Sequence, residues 1–248
     1  MIASLGMYDR PELHGANDRL WKAIRAQLGF GPDDLSRDGD MWEIWQSPDL
    51  LLAQTCGMPF RTHLQGKVQL VGTPDYGLTD TPAGYYYSVI VVGADSDIET
   101  IDQLYGKRFA YNDDLSQSGW AAPWAHLPRG FQWGPAICTG AHAASAKAVS
   151  EGRAEFAALD AVTWRLLVEH EGMDTQLRVL ARTEPTPGLP LITSLSQNPD
   201  AVAKAVVAAL ETVSDHDKST LGIKGLCRIP EEDYLAIANP TVSPNSLT

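Results

Sequence analysis

Short apolar runs alternate with amphipathic stretches along the whole chain, the pattern of an α/β protein. Residues 1–7 read as a first strand. Pro11 opens a helix over 11–29, with Leu20, Trp21, Ile24 and Leu28 at helical spacing. A second amphipathic piece surrounds Met41, Trp42, Ile44 and Trp45. Strands are predicted at 50–53 and 67–72, and the long β-rich run Tyr85-Tyr86-Tyr87-Ser88-Val89-Ile90-Val91-Val92 follows. A second βα series comes next: a short helix over 98–105, a strand at 107–111 and a helix starting near Ser116. A strand at 131–138, a helix over 141–151, a strand at 156–159, a helix over 161–170 and a strand at 177–180 complete it. The segment 185–190 is too proline-rich for a strand interior. β character resumes at 191–193, Pro199 opens a helix over 199–214, and a short helix falls around 231–237.

This order predicts two lobes, each a small mixed sheet flanked by helices, joined by two crossing strands near 85–92 and 185–190. Lobe 1 takes residues 1–88 and 189–248, and lobe 2 takes 89–188. Periodicity alone is equally compatible with one doubly wound sheet. A small solute is expected in the cleft between the lobes, with hinge closure around it.

Composition narrows the ligand class. The chain has 248 residues, 44% hydrophobic and 20% charged, with a formal net charge of -12. That balance argues against nucleic acid, whose phosphates need clustered Lys and Arg. An anionic ligand must then be held by local backbone and hydroxyl dipoles. The three cysteines, Cys56, Cys138 and Cys227, are far apart and odd in number, which excludes a fully paired disulfide framework; three buried free thiols are expected, with one disulfide as the alternative. No cofactor and no metal site is expected, since the histidines lack ligand spacing. No apolar run reaches about 18 residues, the length of a membrane span. Met1 is not followed by a basic region and a long apolar stretch, so no secretion signal is read, which implies a cytoplasmic chain if Met1 is the native start.

Three segments carry candidate chemistry. Asn112-Asp113-Asp114-Leu115-Ser116-Gln117-Ser118-Gly119-Trp120 follows a predicted strand and opens a helix. Ser116 suits an N-cap, Gly119 permits close approach, and a helix N-terminus with two hydroxyls suits an oxyanion. Taken alone, the segment reads equally as an ordinary capped helix. Thr139-Gly140-Ala141-His142 also links strand to helix, with Thr139 or Gly140 as the cap and His142 in the first turn. Asp160 ends an apolar strand, either as an N-cap or as a carboxylate at the carboxyl edge of the sheet, where open α/β folds bind ligands. It would accept from an amine or hydroxyl of the solute. In the first lobe, Tyr8, Gln54 and Thr55 lie at predicted strand ends. Trp120 and Trp124 would suit stacking on an organic or cationic group.

Enzyme signatures are missing: no G-x-S-x-G elbow, P-loop or G-x-G-x-x-G. A transferase or synthase on this scaffold would have to use Cys56, His142 or Asp160.

Together, several stretches resemble the phosphate/phosphite/phosphonate-binding proteins of ABC transporters. They are Gly93-Ala94-Asp95-Ser96-Asp97-Ile98, Leu104-Tyr105-Gly106-Lys107-Arg108-Phe109-Ala110, Ser116-Gln117-Ser118-Gly119, Gly140-Ala141-His142 and 148–160. The resemblance spans about 89–190. It implies a type 2 periplasmic-binding fold, a solute-binding protein that is not an enzyme, a periplasmic location and an ABC permease as partner to a monomer. It also implies that Ser116, Gln117, Ser118, Gly119 and His142 surround a phosphorus oxyanion, with Asp160 near the rest of the solute. The family often carries a third hydroxyl between the two serines, where this chain has Gln117. The same fold also serves sulfonates, pyrimidine precursors and amine-bearing compounds.

Overall fold

A computed structural model describes residues Met1–Leu247. In chain order the elements are β1 Ile2–Ser4, α1 His14–Leu28, α2 Met41–Trp45, β2 Leu50–Gln54, α3 Gly57–Pro59 with a π turn over Phe60–Leu64, β3 Val68–Asp75, β4 Tyr85–Tyr86 and β5 Ser88–Gly93. Next come β6 Phe109–Tyr111, the π turn Gln117–Ala121 running into α4 Ala122–His126, β7 Ala136–Cys138, α5 His142–Ser150, β8 Phe156–Asp160, α6 Ala161–Glu171 and β9 Leu177–Arg182. The last are β10 Thr186–Pro187, β11 Leu191–Ser194, α7 Pro199–Thr212, α8 Asp215–Leu221, β12 Gly225–Cys227 and α9 Glu231–Leu235.

The chain forms two compact units. One is Met1–Tyr85 with Pro187–Ala236, and the other is Tyr86–Thr186 with the described residues from Ile237 onward. The first unit holds a sheet in the order β1-β2-β11-β3-β12. β1 and β2 are parallel, and β11 runs antiparallel to both β2 and β3. Helix α1 packs on α7. Its Leu20, Trp21 and Ile24 are buried, as the helical spacing predicts. Asp40 caps α2 by accepting from the Trp42 and Glu43 N–H groups, and Asn198 caps α7 ahead of Pro199. Tyr234 is buried in the core of this unit. Its hydroxyl donates to the Gly188 carbonyl at 3.0 Å and bonds Thr73 Oγ1 at 2.6 Å.

The second unit holds a sheet in the order β7-β6-β8-β5-β9. β6 is parallel to β7 and β8, and β5 is antiparallel to β8 and β9. All five residues of β8, Phe-Ala-Ala-Leu-Asp, are buried, the near-continuous apolar run of a central strand covered on both faces. Strands β6, β7 and β8 thus deliver their following loops, 112–116, 139–141 and the start of α6, to one carboxyl edge.

Several expectations shift. The strand predicted at 131–138 survives only as β7, because Phe131 and Trp133 join an aromatic cluster with Phe109, Trp120 and Phe156. The helix predicted over 98–105 is a 3-10 turn, Ile101–Leu104, closed by a Thr100/Gln103 capping box. Helix α8 and strand β12 follow α7 without a signal that the periodicity picked out. Residues 237–247 pack on the second unit, whereas the sequence reading returned them to the first. The cause is local: Leu247 packs on the aromatic cluster and its carbonyl accepts from the Ala136 N–H. Cys56 is buried as expected, but Cys138 is exposed and Cys227 half-buried; all three are free thiols. Among the described residues, no helix is long and apolar enough to cross a membrane, and no cluster of His, Cys, Asp or Glu could hold a metal ion.

Candidate functional site

Ser116 is the N-cap of the Gln117–Ala121 turn, and its Oγ accepts from the Gly119 N–H at 2.9 Å. The Asp113 carbonyl accepts from the Ser116 N–H at 3.1 Å, and the Asp113 carboxylate accepts from Leu115 N–H at 2.7 Å, which folds the loop ahead of the cap. Ser116, Gln117 and Ser118 are all buried. The sequence reading offered the Gly119 N–H to a ligand. In the structure that N–H is occupied by Ser116 Oγ, which leaves the Ser116 hydroxyl proton free to be donated elsewhere. Gly119 has a different role: a Cβ there would collide with Asn112 Oδ1. Only glycine lets the helix lie this close to the end of β6.

His142 opens α5, and its Nε2 lies 2.8 Å from Ser118 Oγ. That contact joins the loop after β6 to the loop after β7. Neither Thr139 nor Gly140 caps α5. Thr139 Oγ1 is engaged with the Tyr111 and Ala141 carbonyls and with Ser145 Oγ. Gly140 supplies the left-handed turn, at φ +83°, and the N-cap residue Ala141 has no side-chain oxygen. The first N–H groups of this helix therefore have neither an intrahelical carbonyl nor a side-chain cap. Burial pushes the His142 pKa down to about 4, opposed by the Ala158 carbonyl, so the ring is neutral near pH 7.

Asp160 is the N-cap of α6, and one carboxylate oxygen accepts from both the Val162 and Thr163 N–H groups at 2.7 and 2.9 Å. The capping reading of this residue therefore holds. Ser88 faces Asp160 across β5 and β8. Ser88 and Asn112 are functional candidates that the sequence reading passed over. Among the described residues, Ser88 Oγ and Asn112 Oδ1 are buried without a hydrogen-bond partner. The signal for Ser88 was a lone hydroxyl inside an apolar strand; Asn112 stood at the head of the serine-rich segment.

The segments 112–120 and 139–145 contain no Lys or Arg. What the edge offers is two helix N-termini, two hydroxyls and a neutral imidazole, a donor set suited to an oxyanion in a dipole field.

In the first unit, Tyr8 packs edge-on against Tyr76, with ring centroids 5.0 Å apart. Gln54 Nε2 donates to Tyr76 Oη at 3.1 Å and to the Leu189 carbonyl at 3.2 Å. Tyr8, Gln54 and Tyr76 line one narrow, mainly apolar crevice with Leu5, Leu52 and Pro74. The structure thus brings Tyr8 and Gln54 together and adds Tyr76. Thr55 is fully buried and bonds the Cys56 carbonyl, which makes it part of the scaffold. Trp120 is 1% exposed inside the aromatic cluster, and Trp124 packs against the same cluster. Burial there removes Trp120 as a stacking surface for a solute.

A family model described as "ABC transporter, phosphonate, periplasmic substrate-binding protein" matches residues 52–233. The chain belongs to this family. Its members are periplasmic solute-binding proteins that work with ABC permeases, not enzymes. No curated protein sequence matches the chain. Among solved structures, PhnD1 from Prochlorococcus marinus in complex with methylphosphonate is 14% identical, with a TM-score of 0.71 over 94% of this chain and 93% of that one. A binding-protein component of an ABC phosphonate transporter from Pseudomonas aeruginosa is 16% identical, with a TM-score of 0.69 over 95% and 83%. XAC2383 from Xanthomonas citri, bound to chloride ion, is 16% identical, with a TM-score of 0.68 over 94% and 92%. At these identities the likeness concerns the fold, and the family match supplies the class of protein.

Proposed function

We propose that this member of the phosphonate-binding family captures a small phosphorus oxyanion, a phosphonate, phosphate or phosphite, for an ABC permease. The observation that carries this reading is the Ser118–His142 pair, which ties two helix N-termini into one cation-free donor cluster. An oxyanion needs donors. When the neutral ring carries its proton on Nε2, His142 donates to Ser118 Oγ and the Ser118 hydroxyl proton is left for a ligand. Ser116 accepts from Gly119 and likewise has its own proton to give. The N–H groups at the start of α5 add donors without a side-chain cap among the described residues. A hydrogen bond to a charged group contributes about 1.5–3 kcal/mol, so three give about 5–9 kcal/mol before association costs.

Thermal melting with phosphate, phosphite, methylphosphonate, aminoethylphosphonate and sulfate tests this. Ligand at about 100 times its Kd adds about 2.7 kcal/mol, a melting shift on the order of 5–10 °C for a chain of this size. At least one phosphorus oxyanion is expected to produce it. If none does, the oxyanion reading fails and an organic solute takes its place.

A further inference from the structure

The segment 237–247 ends in a short turn beside β7 whose residues reach the loop after β6. Ser243 caps the turn Pro244–Ser246 by accepting from the Asn245 N–H. Asn245 then makes two contacts with its side chain. Its Oδ1 accepts from the Tyr111 hydroxyl at 2.7 Å, and its Nδ2 donates to the Asp114 carboxylate. Two residues further on, Leu247 anchors the segment through its carbonyl, which accepts from Ala136 N–H at 3.5 Å, and through its side chain on the aromatic cluster.

Tyr111 is the last residue of β6, and Asp114 lies two residues before the Ser116 cap. The loop between them is tied inward to the β7–α5 connection, where the Tyr111 and Asn112 carbonyls accept from the Thr139 and Gly140 N–H groups at 2.9 and 3.1 Å. Asn245 supplies a second tether, through Tyr111 and Asp114. Burial and Asp114 both push the Tyr111 pKa up, so the phenol stays a donor throughout the physiological range. An asparagine side chain suits this place: its carbonyl faces a hydroxyl donor and its amide nitrogen faces a carboxylate. Holding Asp114 also fixes an acidic group that would otherwise sweep the region where the donors gather.

We propose that Asn245 is a positioning residue, a clamp that holds the 112–116 loop in the conformation that presents Ser116 and Ser118 to the ligand. Its effect on affinity rests on the oxyanion reading above; its effect on the loop does not. The test compares wild type, Asn245→Ala, Asn245→Asp and the double variant Asp114→Asn/Asn245→Asp. Amide hydrogen exchange of residues 112–119 is measured without ligand, and calorimetry uses methylphosphonate and inorganic phosphate. Asn245→Ala is expected to speed exchange over 112–119 by about tenfold or more while exchange in α6 and α7 stays unchanged, and to weaken binding by about three- to tenfold. Asn245→Asp, which sets two carboxylates together, should be at least as damaging. The double variant restores one donor and one acceptor and should recover slow exchange and most of the affinity. Unchanged exchange over 112–119 in Asn245→Ala overturns the proposal, as does a double variant no better than Asn245→Asp. If wild type binds neither probe, the oxyanion reading falls, and the exchange comparison still decides the clamp.

Discussion

Ser118 Oγ and His142 Nε2 lie 2.8 Å apart, and this one contact fastens the loop after β6 to the helix that begins after β7. Which of the two donates follows the tautomer of the ring. A ring that is neutral at pH 7 carries a single proton, and the donor set faces outward only when that proton sits on Nε2.

Ser118→Ala removes one ligand donor and also strands the buried His142 nitrogen. Calorimetry with the oxyanion that binds wild type should show a loss of about 10–100-fold, the scale of one charge-assisted hydrogen bond. The ligand-free protein should lose about 1 kcal/mol, read in denaturant unfolding. An unchanged affinity would remove Ser118 from the ligand's shell.

Burial holds the His142 pKa near 4, below the ordinary 6.5, so the folded chain takes up this proton less readily than the unfolded chain. The sign follows. Above pH 6.5 this group adds no pH dependence, and stability is lost as pH falls from there through about 4. Melting temperatures of wild type and His142→Gln between pH 7 and 4 isolate the effect. The wild type should decline more steeply. Parallel curves would mean that the ring titrates normally.

Gly119→Ala puts a methyl group against Asn112 Oδ1. Overpacking of this kind costs about 1–3 kcal/mol. The double variant Gly119→Ala/Asn112→Ala should recover part of that loss in chemical unfolding. No recovery would place the strain elsewhere.

Asp160 separates capping from selection. Asp160→Asn keeps an acceptor for the Val162 and Thr163 N–H groups, whereas Asp160→Ala removes it and should cost about 1 kcal/mol. If the carboxylate also receives an amine of the solute, Asp160→Asn weakens aminoethylphosphonate more than methylphosphonate in parallel titrations. Equal losses would leave Asp160 as a cap alone.

The second unit was legible because its strands and helices alternate in short blocks, two of them opened by the capping residues Ser116 and Asp160. Ser116 at its cap, His142 in a first turn and Asp160 at a strand end all follow from local chemistry. Which nitrogen meets which oxygen was not legible, since the Ser118–His142 contact spans two loops that only the parallel pairing of β6 with β7 brings together. Gly119 was read as an approach point for ligand, but its close neighbour is Asn112, a tertiary fact without a local signature. The Trp120 reading failed for the same reason: an indole near a motif looks available until Phe109 and Trp133 close over it. Residues 237–247 carry little periodicity, and their docking rests on two side chains, Asn245 and Leu247.

On the proposed reading, hydroxyls at helix N-termini, without a cation, hold a phosphorus oxyanion. Isothermal titration of the anion giving the largest melting shift, into wild type and into the double variant Ser116→Ala/Ser118→Ala, tests it most directly. Saturable one-site binding to wild type is expected, with a loss of at least about 100-fold in the double variant and its fold retained by circular dichroism. Equal affinity in the two proteins, or no binding of any phosphorus oxyanion to wild type, would contradict it.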